Sequence, residues 1–222
     1  MAQLFLVRHA QASFGAENYD ELSALGHEQS SLLGEYFSQR QQEFDLLVTG
    51  ALKRQIQTSE GILKHTKAEH IYSDSCWDEF DFDLIVRTYL THYPKQKPSP
   101  NAPRSEWYKV LRNAMIAWSK SELDITQGET WQAFCCRVEQ GMQQIKESRA
   151  KRVLVVSSGG TMAIFLKTLL NTSVEQAVAL NLQIKNTSLN EFFFNKNGFQ
   201  LSCFNHVPHL DNKQHQDKIT YS

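Results

Sequence analysis

Three stretches of this sequence place polar, reactive side chains directly after an apolar run. LFLV leads into Arg8-His9, LLVTGALK into Arg54, and VLVVS into Ser158. In an open parallel sheet the carboxyl ends of the strands converge on one crevice. A histidine with two arginines in such a crevice is a phosphate site with a nucleophile built in. Guanidinium groups hold a tetrahedral anion through charge-assisted, often bidentate hydrogen bonds, and an imidazole can attack phosphorus. A charge left alone at a buried strand end is costly, so Arg8 needs a partner or a ligand. Arg54 falls in the first turn of a predicted helix, whose N-terminus also favours anions. Ser158 is the odd member, offering only a neutral hydroxyl, with the Gly159 N–H beside it.

The elements that must position these residues alternate. Residues 3–7 read as a buried strand, followed by a polar loop to about residue 24. Leu32, Leu33, Tyr36 and Phe37 recur at helical spacing within a helix expected over 26–44. Residues 45–49 form a second strand. The next helix carries Leu52, Ile56, Ser59 and Leu63 on one face, and residues 68–72 form a third strand. Trp131, Phe134, Cys135, Val138, Met142 and Ile145 mark an amphipathic helix, 152–157 a central strand, and Gly159-Gly160 the start of a further helix. LNEFFFN and FQLSCFN are two last strands joined by Lys196-Asn197-Gly198, whose Asn-Gly pair suits a tight hairpin turn. This alternation predicts an α/β fold, a three-layer α/β/α sandwich with a mostly parallel central sheet. The whole of 1–222 is expected to be one domain. Residues 76–128 differ, being rich in aromatics and holding four of the five prolines. They are expected to be an insertion, or lid, over the carboxyl edge of the sheet.

Composition narrows the function. The chain has 222 residues, 41% apolar and 21% charged, with a formal net charge of −1. That suffices for one sizeable core and gives no basis for nucleic-acid or membrane-surface binding. The four cysteines, Cys76, Cys135, Cys136 and Cys203, lack zinc-ligand or redox spacing and read as free thiols of a reducing compartment. The first residues match neither a signal peptide nor a membrane span. A cytoplasmic location is expected. Oligomeric state is not legible.

LVRHAQA, LSALGHEQ, TGALKRQIQTSE, CWDEFDFD, GET, VVSSGGTMA and FNHVPHL together resemble the histidine phosphatase superfamily, in its phosphoglycerate mutase-like branch. The resemblance implies an α/β fold, a phosphohistidine intermediate, a small phosphorylated substrate, and neither metal nor organic cofactor. It implies that His9 is the nucleophile, that Arg8 and Arg54 bind phosphate, and that Glu79 protonates the leaving oxygen, with Asp78 as its rival in the same acidic run. The sequence departs from the family pattern at four positions. Ala10 replaces a glycine, Gly15 an asparagine, Asp83 a glycine, and Ser158 the second histidine. Ser158 and the Gly159 N–H are left as the phosphate donors there, unless His206 or His209 moves into the gap. Losing a charged donor costs roughly 1.5–3 kcal/mol, or on the order of 10- to 150-fold in rate. The expected activity is therefore a slow phosphomonoesterase. A non-catalytic phospho-ligand or protein-binding module and, third, a phosphoglycerate mutase are the alternatives.

Overall fold

The computed structural model describes residues 2–13 and 20–221. Its centre is a six-stranded sheet in the order β3-β2-β4-β1-β5-β6. The strands are β1 (Ala2–Arg8), β2 (Phe44–Thr49), β3 (Ala68–Ser73), β4 (Arg152–Ser157), β5 (Leu189–Asn195) and β6 (Gly198–His206). The first four run parallel, and β5 and β6 are antiparallel additions beside β1. The parallel pairings set Arg8 opposite Ser157 and Thr49 opposite Val156, so the polar residues after β1, β2 and β4 emerge at one edge.

β1 and β4 are continuous apolar runs because both faces of the sheet are covered. Phe5, Val7, Leu154 and Val156 pack with Leu33, Phe37 and Ile62. Those come from helices α1 (Ala24–Gln39) and α2 (Lys53–Leu63). Leu4, Leu6, Val153 and Val155 face the opposite cluster, which holds Trp77, Phe134, Val138 and Phe165. That layer contains α5 (Trp131–Glu147) and α6 (Gly159–Leu170). Between β3 and α5 the aromatic-rich stretch forms α3 (Phe82–His92) and α4 (Arg104–Ser119). A short helix, α7 (Val174–Asn181), follows α6.

Three local readings are corrected and one helix is added. α1 ends at Gln39, and Gln41 beyond it takes a left-handed φ of 51°, so the helix stops short of Phe44. α2 buries Arg54, Gln55, Thr58, Ser59 and Ile62, whereas Leu52, Ile56 and Leu63 are only partly buried. Its inward face is thus mostly polar, for reasons the site supplies. The hairpin turn is Lys196-Asn197, and Gly198, at φ 155°, already pairs with Asn195 in β6. Helix α7 lies in a stretch the hydropathy pattern leaves unassigned.

Candidate active site

His9 sits just past the end of β1, and its position is fixed from three sides. Its backbone N–H donates to the Ser157 carbonyl at 2.7 Å. Its own carbonyl accepts from Asn186 Nδ2 at 3.0 Å, and the next N–H, of Ala10, donates to Thr58 Oγ1 at 2.9 Å. The imidazole is 4% exposed. Nδ1 faces the Ala10 carbonyl at 2.8 Å. A carbonyl can only accept, so Nδ1 carries the proton and Nε2 the lone pair. Arg54 Nε donates to that Nε2 at 3.3 Å. Burial first, then the Arg54 and Arg8 charges, hold the imidazole pKa well below its usual range. His9 is therefore neutral near pH 7, with its Nε2 lone pair facing Arg54.

Arg54 is itself buried, at the second position of α2. Its Nη1 meets Asp20 Oδ1 at 2.7 Å, while Asp20 Oδ2 accepts the Lys53 N–H at 2.8 Å. One carboxylate thus occupies the start of α2 and orients the guanidinium, as anions at helix N-termini do. Arg8 turns its Nη1 to the carbonyls of Ile184 and Tyr221, which bring in the α7–β5 connection and the last described residues.

Glu79 follows the short turn Ser75–Trp77. The backbone before it is clamped, because the Asp78 carbonyl accepts from Thr161 Oγ1 at 2.6 Å and Arg137 Nη1 at 2.7 Å. The carboxyl takes the Gly160 N–H at 2.9 Å and the Phe80 N–H at 3.2 Å. Burial raises its pKa above the usual carboxylate range, against those two N–H groups and the two arginines. A Cβ on Gly160 would lie 2.2 Å from Glu79 Oε1, so only glycine permits this approach. Asp78, the rival acid, spends its Oδ1 on the Ala51 N–H at 2.5 Å.

Arg8, His9, Arg54 and Glu79 line one cavity of about 310 Å³, together with Phe80, Phe82, Asp83, Val86, Arg104, Trp107, Tyr108, Leu111, Asn181, Leu182 and Tyr221. Asp78, Ser158, Gly159, His206 and His209 are not in this lining. Ser158 is fully buried, and Gln55 Nε2 donates both to its Oγ, at 2.8 Å, and to the Trp77 carbonyl, at 3.0 Å. Gly159 packs against Asn181, whose Oδ1 would stand 2.4 Å from an added Cβ. His209 is buried, paired with Thr187 Oγ1 at 2.9 Å, and desolvation drives its pKa down to about 3. The Gly15 departure lies outside the described residues.

Sequence reasoning missed Gln55, Asp20, Asn181 and Tyr221. Gln55 had a signal, being a polar residue beside Arg54 on a helix whose apolar stripe is weak. Asn181 and Tyr221 come from segments with no motif. Among the described residues no group of three or more histidine, cysteine or acidic side chains could hold a metal ion, and no helix is long and apolar enough to cross a membrane.

The profile of the histidine phosphatase superfamily (branch 1) matches residues 4–207, and the chain belongs to that superfamily. A broad-specificity phosphatase of Saccharomyces cerevisiae is 33% identical over 75 residues, which is 31% of this chain and 33% of the yeast protein. The match therefore spans about a third of that relative. Among solved structures, a phosphoglycerate mutase from Bacillus anthracis superposes with a TM-score of 0.65 at 19% identity, covering 94% of each chain. The alpha-ribazole phosphatase of Shigella flexneri gives 0.63 at 20% identity, covering 92% of this chain and 96% of its own. A mycobacterial glucosyl-3-phosphoglycerate phosphatase gives 0.62 at 20%, covering 92% and 99%. At these identities the structures establish a shared fold.

Proposed function

We propose that the protein is a phosphomonoesterase that works through a phosphohistidine at His9. The observation that carries this reading is the lone pair of His9 Nε2, held 3.3 Å from Arg54 Nε in the cavity that also contains Arg8 and Glu79. Arg8 and Arg54 hold the equatorial phosphoryl oxygens. Nε2 attacks phosphorus in line, and the N–P bond forms as the P–O bond to the alcohol breaks. Glu79, protonated, gives its proton to the departing oxygen. The resulting carboxylate takes a proton from water, whose oxygen attacks phosphorus. The N–P bond then breaks, and phosphate leaves with His9 neutral again.

Ser158 occupies the place of the family's second histidine. With the Gln55 amide already on its Oγ and no surface on the cavity, the pocket is rebuilt around serine. Turnover then lacks one charged donor and is slow by roughly 10- to 150-fold. Four free thiols fit a reducing compartment, which supports a cytoplasmic location.

A panel of phosphomonoesters run beside His9→Ala tests this. Expected is slow turnover by the wild type that the variant loses. Wild-type rates no higher than those of His9→Ala across the panel would overturn it. Phosphate binding that persists in His9→Ala and fails in Arg54→Ala, without turnover in either the wild type or a variant, would assign the site to binding alone.

A further inference from the structure

Beyond Arg8, His9, Arg54 and Glu79 the cavity lining is mostly apolar. Helix α4 turns Trp107, Tyr108 and Leu111 inward, Phe82 and Val86 come from α3, and Leu182 follows α7. Residues 104, 107, 108 and 111 are spaced i, i+3, i+4, i+7, so a single helical face is given over to this wall. Trp107 remains 37% exposed, a large ring left at a cavity mouth instead of in the core. The charged side chains of this part are Asp83 and Arg104, which are opposite in sign. It therefore holds no surplus positive charge for a second anionic group.

We propose that this apolar chamber is the subsite for the alcohol part of the phosphomonoester, and that it selects an apolar alcohol, aryl or alkyl. This deepens the phosphatase reading, since it takes the phosphate to be held by Arg8 and Arg54. A polyhydroxylated alcohol entering here would give up hydrogen bonds to water against Phe82, Val86, Trp107, Leu111 and Leu182, which can return none, leaving only Asp83, Arg104, Asn181 and the two tyrosine hydroxyls to replace them. A hydrocarbon chain instead gains about fourfold in affinity for each methylene fully buried.

The test compares hexyl phosphate with glycerol 1-phosphate and 3-phosphoglycerate. In parallel, calorimetry compares hexylphosphonate with methylphosphonate, neither of which can be hydrolysed. Glycerol is the more acidic alcohol and the better leaving group, so intrinsic reactivity works against the expected result. Expected is a kcat/KM for hexyl phosphate about 10- to 100-fold above both competitors, and hexylphosphonate binding tighter than methylphosphonate by a similar factor. Trp107→Ala, at a position exposed enough to spare the fold, should shrink both ratios, and Leu111→Asn should do the same. Equal or inverted ratios with His9-dependent turnover intact would overturn the apolar subsite while leaving the phosphatase reading in place. Tight, selective hexylphosphonate binding by a protein without turnover would keep the subsite and reject the phosphatase.

Discussion

The two ends of the cavity are built by opposite means. At the proposed phosphate end, Arg8 ends β1 with His9 just past it, Arg54 lies at the start of α2, and Glu79 lies in the loop between Trp77 and α3. Each is held by further hydrogen bonds, with Asn186 and Thr58 around His9, the Ile184 and Tyr221 carbonyls at Arg8, Asp20 at Arg54, and Gly160 at Glu79. At the proposed alcohol end, α3, α4 and Leu182, just past α7, present partly exposed rings and aliphatic chains. The first needs fixed geometry, because electrostatic stabilisation works only when donors are already in place. The second needs only apolar area, which is not directional. Variants at the phosphate end should therefore lower turnover of every substrate alike, and variants at the alcohol end should change the ratio between substrates.

Short of removing the nucleophile, Glu79→Gln should have the largest effect at the phosphate end, about 10²- to 10⁴-fold in kcat. It also tests the pH logic. Burial raises Glu79 above the usual carboxylate range, so its proton persists to higher pH and activity falls only as pH climbs through that raised value. His9 is lowered, so protonation silences it only below the usual imidazole range. Wild-type activity should hold between the lowered imidazole limb and the raised carboxylate limb, and Glu79→Gln should lose the alkaline decline. A kcat/KM profile against pH measures both. Arg54→Ala should cost about 10²- to 10³-fold, with little recovery in Arg54→Lys, because an ammonium cannot hold Asp20 and the site together as a guanidinium fork does. Rates of both variants across several esters check this, and an ester-dependent loss would blur the contrast between the two ends.

Gly160→Ala should cost about 10²-fold in kcat, since a Cβ 2.2 Å from Glu79 Oε1 displaces the acid by something near an ångström. A smaller loss with an unchanged pH profile would mean that Glu79 is less rigidly held. Ser158→His is the mildest. Ser158 is fully buried with Gln55 Nε2 at 2.8 Å, so a larger ring should destabilise by about 1–3 kcal/mol in denaturant unfolding without raising turnover. A rise would show that the serine is merely a lost donor in an otherwise intact pocket.

How much of this is legible in the sequence follows the same division. β1 and β4 announce themselves because strands covered on both faces must be apolar throughout, and Arg8, His9 and Ser158 are conspicuous by following them. The pattern of α2 misleads at the site itself. Its inward face carries Arg54, Gln55 and Thr58, and a helix that spends its buried face on hydrogen bonds to a ligand pocket leaves no hydrophobic stripe to detect. Glu79 can be singled out only through the family resemblance, since five acidic residues between Asp74 and Asp83 differ in tertiary packing and not in local pattern. The alcohol end is illegible for another reason. Trp107, Leu111 and Leu182 become one wall only when α4 and α7 are brought together, and aromatic content alone does not say which face of a helix meets a cavity.

The most direct measurement is to quench the wild-type protein during turnover and locate the transferred phosphoryl group by phosphorus NMR and peptide mass spectrometry. With Nδ1 protonated against the Ala10 carbonyl, the group should be found on Nε2 of His9, stable to alkali, labile to acid, and absent from His9→Ala. Turnover with the phosphoryl group on another residue, or turnover undiminished in His9→Ala, would contradict a nucleophilic His9.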